Sequence, residues 1–362
     1  MLCLAMGETY QKLSIAYNMD DDIIGDIRYY RLTNSSGAEV TLSNLGAGVV
    51  ALTAPDRAGR LADVVLGYRK PESYYADGAY MGKTPGRYAN RIGLGRFSIK
   101  GKNYQLPVNN GPNCNHGGIL GLANKIWDAE TAGERSIRFS CLSPDGDEGF
   151  PGNLRASVTY TWDDDNTLEI VLEAKTDATT VINLTNHSYF NLDGEDSGSV
   201  LDHVLWLNSR RWLPTDAYLL PTGAVESVEG TPMDFTSPKS IGRDMGNGFT
   251  ALLHGKGYDH CWLVDGHEPG VVQEVAVLSS AKSGRVLRVY SSQPAVQVYA
   301  GCWLGGSPES ISGNRYRDYD GVAIECQGCP DAPNRPSFPS QVLNPGESYH
   351  RRIIFKFSTD NQ

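Results

Sequence analysis

The chain has little that would draw it to a polyanion. Among 362 residues, 32 Lys and Arg stand against 42 Asp and Glu, a formal charge of -10, and no basic cluster or arginine-rich helix breaks that balance. This argues against nucleic acid and anionic membrane as partners. No apolar run reaches the ~20 residues of a spanning helix. The only apolar start, Met1–Gly7, is too short for a secretory h-region and lacks a basic n-region, so a cytoplasmic location is the expectation. Cysteine is sparse and odd in number, seven in all, which fits reduced thiols better than a disulfide framework. Cys326 and Cys329 have C-x-x-C spacing, but no second C-x-x-C or H-x3-H pair completes a structural zinc site, and no metal is expected. Also missing are G-x-S-x-G, a P-loop, a dinucleotide fingerprint after a strand, and H-E-x-x-H.

A sustained 3.6-residue apolar stripe is absent too, and what replaces it is alternation. Val40 to Leu52 and Asp63 to Tyr68 read as strands, and Pro71 to Ala76 as a short helix with proline in its first turn. Arg96 to Leu106 reads as a hairpin turning at Gly101, and Leu154–Trp162 with Leu168–Leu172 as a second one turning through Asp163–Asn166. The acidic loop Pro144–Asn153 lacks calcium-loop spacing and reads as a turn, as does Asp20–Asp22. Strand-sized pieces continue through Trp206–Leu220, Leu252–Val264, Val272–Leu278, Val286–Tyr290, Val296–Tyr299, Val322–Glu325 and Ile353–Phe357. With 40 glycines and 19 prolines spread without a period, and no linker or repeat, the expected fold is all-β. It is one large antiparallel sandwich over residues 35–357, behind a weakly patterned segment 1–34.

The stretch Val181–Asp193 stands apart, because it surrounds His187 with Asn183, Thr185, Asn186, Ser188, Tyr189 and Asn191. A histidine held among amides and hydroxyls can be fixed in one tautomer and can move a proton near neutral pH. A buried histidine satisfied by its neighbours would give the same pattern. The Arg96–Leu106 hairpin returns the chain on itself, so the loops at its two ends should bring Asn90, Arg91 and His116 together. Asp259, Gln297 and Glu325 join these as polar groups expected on one face. Glu325 follows Val-Ala-Ile on a strand, where a carboxylate is costly without partners or a task, unless it marks the sheet rim. Tyr189, Trp262, Tyr299 and Trp303 lie near these groups in sequence and could serve as sugar platforms or as core.

Together these residues resemble the aldose 1-epimerases, or galactose mutarotases. The resemblance is carried in order by Gly86–Ile92, Asn115–Gly118, Pro151–Asn153, Asn183–Leu192, Gly257–His260, Glu325 and Pro330–Asn334. It implies a β-supersandwich without cofactor that interconverts the α and β anomers of hexoses. His187 is similar to the family's general acid, Glu325 to its general base, and Asn90, Arg91, His116, Asp259 and Gln297 to its sugar-contacting positions. The chain departs after the base, where Glu325-Cys-Gln-Gly-Cys329 replaces the more usual Glu-Thr-Gln and an aromatic, which bears on sugar preference. Anomer exchange needs a base at the C1 hydroxyl and an acid at the ring oxygen, and a lone Glu with histidines suits that better than the paired carboxylates of a glycosidase. A non-catalytic carbohydrate-binding protein and a glycoside-active enzyme on a similar sandwich remain the alternatives. The nearby Arg87 and Arg91 could suggest a phosphate site, though paired arginines more often serve structure or carboxylates.

Overall fold

A computed structural model describes residues 27–75 and 77–360. The turn read at Asp20–Asp22, the apolar start Met1–Gly7 and most of the segment 1–34 therefore lie outside the described residues.

Alternating sequence becomes antiparallel sheet, since side chains two apart share a face and only a sheet buries that pattern. The largest sheet has nine strands in the order 239–240, 204–207, 273–279, 285–291, 349–359, 167–176, 154–162, 136–143 and 128–133. A six-stranded sheet runs 189–190, 322–327, 295–299, 259–263, 211–213 and 226–227, and a four-stranded sheet joins 29–33, 39–43, 48–55 and 61–63. One continuous core binds them: Ile170, Leu172, Val289 and Phe355 of the large sheet meet Val296, Val298, Ile324 and Trp262 of the second, with Val40, Leu42 and Leu52 from the third.

Both hairpins form where the alternation places them. Arg96–Ile99 pairs with Lys102–Gln105 across Lys100 and Gly101, both at positive φ, and Trp162 sits opposite Leu168. Other elements differ from expectation. Tyr29–Thr33 pairs with Glu39–Ser43, so sheet structure begins ahead of residue 35, where a short polar strand gave no clear alternation. The helix expected at Pro71 is a 3-10 turn, Pro71–Tyr74. Leu252 belongs to a six-residue α-helix, Thr250–Gly255, rather than a strand. Among the described residues no helix is long and apolar enough to cross a membrane.

The stretch around His187 is not one strand. It passes from a pair with residues 342–343 at Thr180–Val181 to a pair with the 322–327 strand at Tyr189–Phe190, and its polar side chains fasten the crossing. Asn183 donates to Ala89 O and Gly328 O and accepts from Gly328 N–H, Thr185 donates to Cys326 O, and Asn186 donates to Gly82 O. Most of the amide and hydroxyl density therefore serves backbone satisfaction in a buried, irregular segment. Its effect is to fix the chain carrying His187 to the strand carrying Glu325.

Candidate active site

Strand parity sets the floor of the site. In the six-stranded sheet, Val296, Val298, Ile324 and Cys326 point into the main core, so Gln297, Tyr299, Ala323 and Glu325 point to the opposite face. Gln297 stands directly across from Glu325, and Tyr299 across from Asp259. Glu325 is thus central in its sheet rather than at a rim, and only 2% exposed.

The ends of the Arg96–Leu106 hairpin form the wall. Arg91–Ile92 pairs with Cys114–Asn115, the His116 N–H donates to Asn90 O, and the Asn90 N–H donates to His116 Nδ1 at 3.2 Å. Because Nδ1 accepts, the imidazole proton sits on Nε2, and His116 is a donor from that atom. The next residue has to be glycine: Gly117 has φ +87°, and a Cβ there would lie 1.9 Å from Gly86 O. His187 is held by its backbone, donating to Lys83 O at 2.9 Å and accepting from Gly82 N–H at 3.0 Å.

These elements enclose a cavity of about 390 Å³, lined by Asn90, Arg91, His116, His187, Asp259 and Glu325, with Tyr189, Tyr299 and Trp303 around them. Gln297 does not line it. Its Nε2 donates to Asp259 Oδ1 at 2.6 Å, while Asp259 Oδ2 accepts from Arg91 Nη2 at 3.2 Å. Trp262 is fully buried in the core, its indole N–H on Met233 O, and is no platform. Arg87 is also structural. Its guanidinium donates to Ser143 Oγ, Ser143 O, Pro144 O and Pro151 O, which leaves nothing for a phosphate. Sequence reasoning missed Tyr80, Tyr218 and His254, which line the cavity from loops and the short helix. Asn110 and Asn115 line it too.

At the bottom, His187 Nε2 lies 3.5 Å from Glu325 Oε1, and neither His187 Nδ1 nor Glu325 Oε2 has a hydrogen-bond partner. Burial disfavours charge on both. It raises the Glu325 carboxyl well above its ordinary range, helped by the Asp259 charge and opposed by Arg91, and it lowers His187 to about 4. Burial, His187 and Arg91 also push His116 well below the usual imidazole value. A proton shared by the pair therefore rests on Glu325 rather than on His187.

Among the described residues, His116, His187 and Glu325 form one convergent group of metal-ligand type, with donor atoms within 4.8 Å of one another. Its protons oppose coordination: His116 carries its proton on Nε2, and burial biases Glu325 toward its acid form. Cys326 and Cys329 do not converge, because Cys326 packs in the main core while Cys329 packs with Cys261, Leu213 and Phe338.

A buried carboxyl and imidazole 3.5 Å apart at the base of a polar cavity, set on a large antiparallel sandwich, make a candidate acid–base site. The chain belongs to the aldose 1-epimerase family, whose sequence profile matches residues 28–356. It is 40% identical over 334 residues to the galactose mutarotase of Bos taurus, covering 92% of this chain and 95% of that one. Identity to the aldose 1-epimerase of Escherichia coli K12 is 38% over 335 residues, covering 91% and 95%. Among solved structures, the GalM/aldose epimerase homologue from C. elegans superposes with a TM-score of 0.84 at 33% identity, covering 92% of this chain and 99% of that one.

Proposed function

We propose that the chain is an aldose 1-epimerase that interconverts the α and β anomers of hexoses such as galactose and glucose, with Glu325 and His187 moving the protons. The observation that carries the reading is the 3.5 Å contact between two buried groups whose surroundings shift their proton affinities in opposite directions. Such pairs mark acid–base assignments.

In the reaction, one proton serves the pair throughout. The sugar enters with its C1–O5 edge toward the pair, and the proton crosses from Glu325 to His187. Glu325 then takes the O1 proton as His187 gives its proton to O5, and the C1–O5 bond breaks. The aldehyde turns about C1–C2, His187 recovers the O5 proton, Glu325 returns one to O1, and the ring closes on the other face. Arg91, Asp259 and Asn90 hold hydroxyls, His116 donates from Nε2, and Gln297 steadies Asp259. A cavity of about 390 Å³ suits a single hexose with its ordered water. The glycosidase alternative is not favoured, because Asp259, the second carboxylate in the cavity, is engaged by both Arg91 and Gln297. A cytoplasmic location is part of the proposal, supported by six described cysteines that are all free.

Polarimetry on freshly dissolved α-glucose and α-galactose tests the reading. Rotation should reach equilibrium faster than in buffer alone, in proportion to protein concentration. An unchanged rate with sugar demonstrably bound would overturn the reading and leave the carbohydrate-binding and glycoside-active alternatives.

A further inference from the structure

The floor of the cavity is buried but its rim is exposed, and one edge of that rim is an Asn-Gly turn. Asn110 and Gly111 are adjacent, exposed, and both line the cavity. The turn is closed by Asn110 N–H to Asn113 O at 3.1 Å and Asn113 N–H to Asn110 O at 3.0 Å. Gly111 has φ +55°, and among the described residues its N–H makes no hydrogen bond. The Asn110 Oδ1 accepts from Arg91 Nε at 3.2 Å, and the same guanidinium donates through Nη2 to Asp259.

We propose that Asn110 is a site of spontaneous deamidation, and that its conversion to a carboxylate detunes Arg91 and weakens sugar binding. The Gly111 nitrogen, having lost its proton to hydroxide, attacks Asn110 Cγ. The new C–N bond closes a succinimide as the Cγ–Nδ2 bond breaks and ammonia leaves. Water then opens the ring to aspartate or isoaspartate, so the net change is amide plus water to carboxylate plus ammonium. Two features favour the attack here. Glycine has no Cβ to obstruct the approach or restrict the turn. Arg91 Nε–H is aimed at the oxygen on which negative charge develops, as in an oxyanion hole. After conversion, Arg91 faces carboxylates at both 110 and 259, and the cavity mouth gains one negative charge.

The chain contains an internal comparison. Asn247–Gly248 is likewise exposed, but among the described residues its Oδ1 accepts only from the Phe249 N–H and from no cation. Full-length protein is incubated at mildly alkaline pH, and peptides are mapped for a gain of about 1 Da at each asparagine, with isoaspartate assayed separately. Residue 110 should convert faster than residue 247. Conversion at 110 that is absent, or no faster than at 247, overturns the proposal.

The kinetic half rests on the sugar-holding role proposed for Arg91, whereas the mass measurement does not, so the two can fail separately. Asn110→Asp should raise KM about 3–10-fold with kcat within about twofold, the scale of one hydrogen bond. The parent protein's KM should drift toward that value as residue 110 converts. Asn110→Gln, whatever its starting activity, should not drift, because its longer side chain closes a six-membered ring reluctantly. An unchanged KM in Asn110→Asp, or equal drift in Asn110→Gln, overturns the functional consequence.

Discussion

Replacing Asp259 by Asn separates binding from proton affinity within one side chain. The carboxylate accepts from Arg91 Nη2 at 3.2 Å and from Gln297 Nε2 at 2.6 Å, with 9% and 13% of the Arg91 and Asp259 side chains exposed. Asparagine keeps an oxygen for Gln297 but turns a charge-assisted bond to Arg91 into a neutral one at best. Charge-assisted bonds contribute about 1.5–3 kcal/mol and neutral ones about 1, so KM should rise roughly 3–30-fold. The second effect falls on Glu325. Burial raises its pKa, the Asp259 charge adds to that, and Arg91 opposes it. Removing the Asp259 charge deletes an upward contribution and leaves Arg91 unopposed, so Glu325 must become more acidic. The last proton to leave the active pair sits on Glu325, and the alkaline limb of kcat/KM should therefore move to lower pH. Stopped-flow polarimetry or a coupled dehydrogenase assay specific for the β anomer reads both quantities. An alkaline limb that stays fixed or moves upward would refute the electrostatic reasoning, even if KM rose as expected.

Three further outcomes follow from other parts of the molecule. His116→Asn removes the Nε2 donor and leaves the Asn90 N–H without its acceptor, so sugar binding should weaken at least as much as turnover falls; a collapse of kcat at constant KM would move His116 into the chemistry. Asn183→Ala strips hydrogen bonds from Gly328 N–H, Gly328 O and Ala89 O in a fully buried position, and should cost about 3–9 kcal/mol at the usual 1–3 per orphaned group. Its urea midpoint reads that cost, and a midpoint near the parent value would contradict the fastening role given to the His187 segment. Cys326→Ser and Cys329→Ser, made singly, should retain catalysis, and purified protein should hold no stoichiometric zinc; zinc whose chelation abolished activity would reverse that expectation.

Much of the site was legible because sheets obey a period of two. Glu325, Gln297 and Asp259 could be grouped on one face once their strands were recognised, and the Arg96–Leu106 hairpin alone placed Asn90, Arg91 and His116 together. The crossing near His187 was not legible, since local alternation at Val181 and again at Tyr189 does not reveal that the pairing partner changes between them. Tyr80, Tyr218 and His254 were invisible because loops and a six-residue helix bring them in, and no period governs such elements. Trp262 illustrates the converse. Its neighbour Asp259 is in the cavity, but three residues along a strand reverses the face, and the indole is in the core. Proton affinities were legible only in part: the sequence marked a candidate acid and base, but only burial in the fold shows that the carboxyl is raised and the imidazole lowered.

The account stands most directly on Glu325→Gln. Glutamine preserves shape in a position only 2% exposed and keeps polar atoms toward His187, but cannot accept the O1 proton. After subtraction of spontaneous mutarotation, the enzymatic rate at saturating sugar should fall ~10²–10⁴-fold, with sugar binding by calorimetry largely intact and the alkaline limb of any residual activity gone. Near-native turnover after that subtraction would place the base elsewhere, with Asp259 the next candidate.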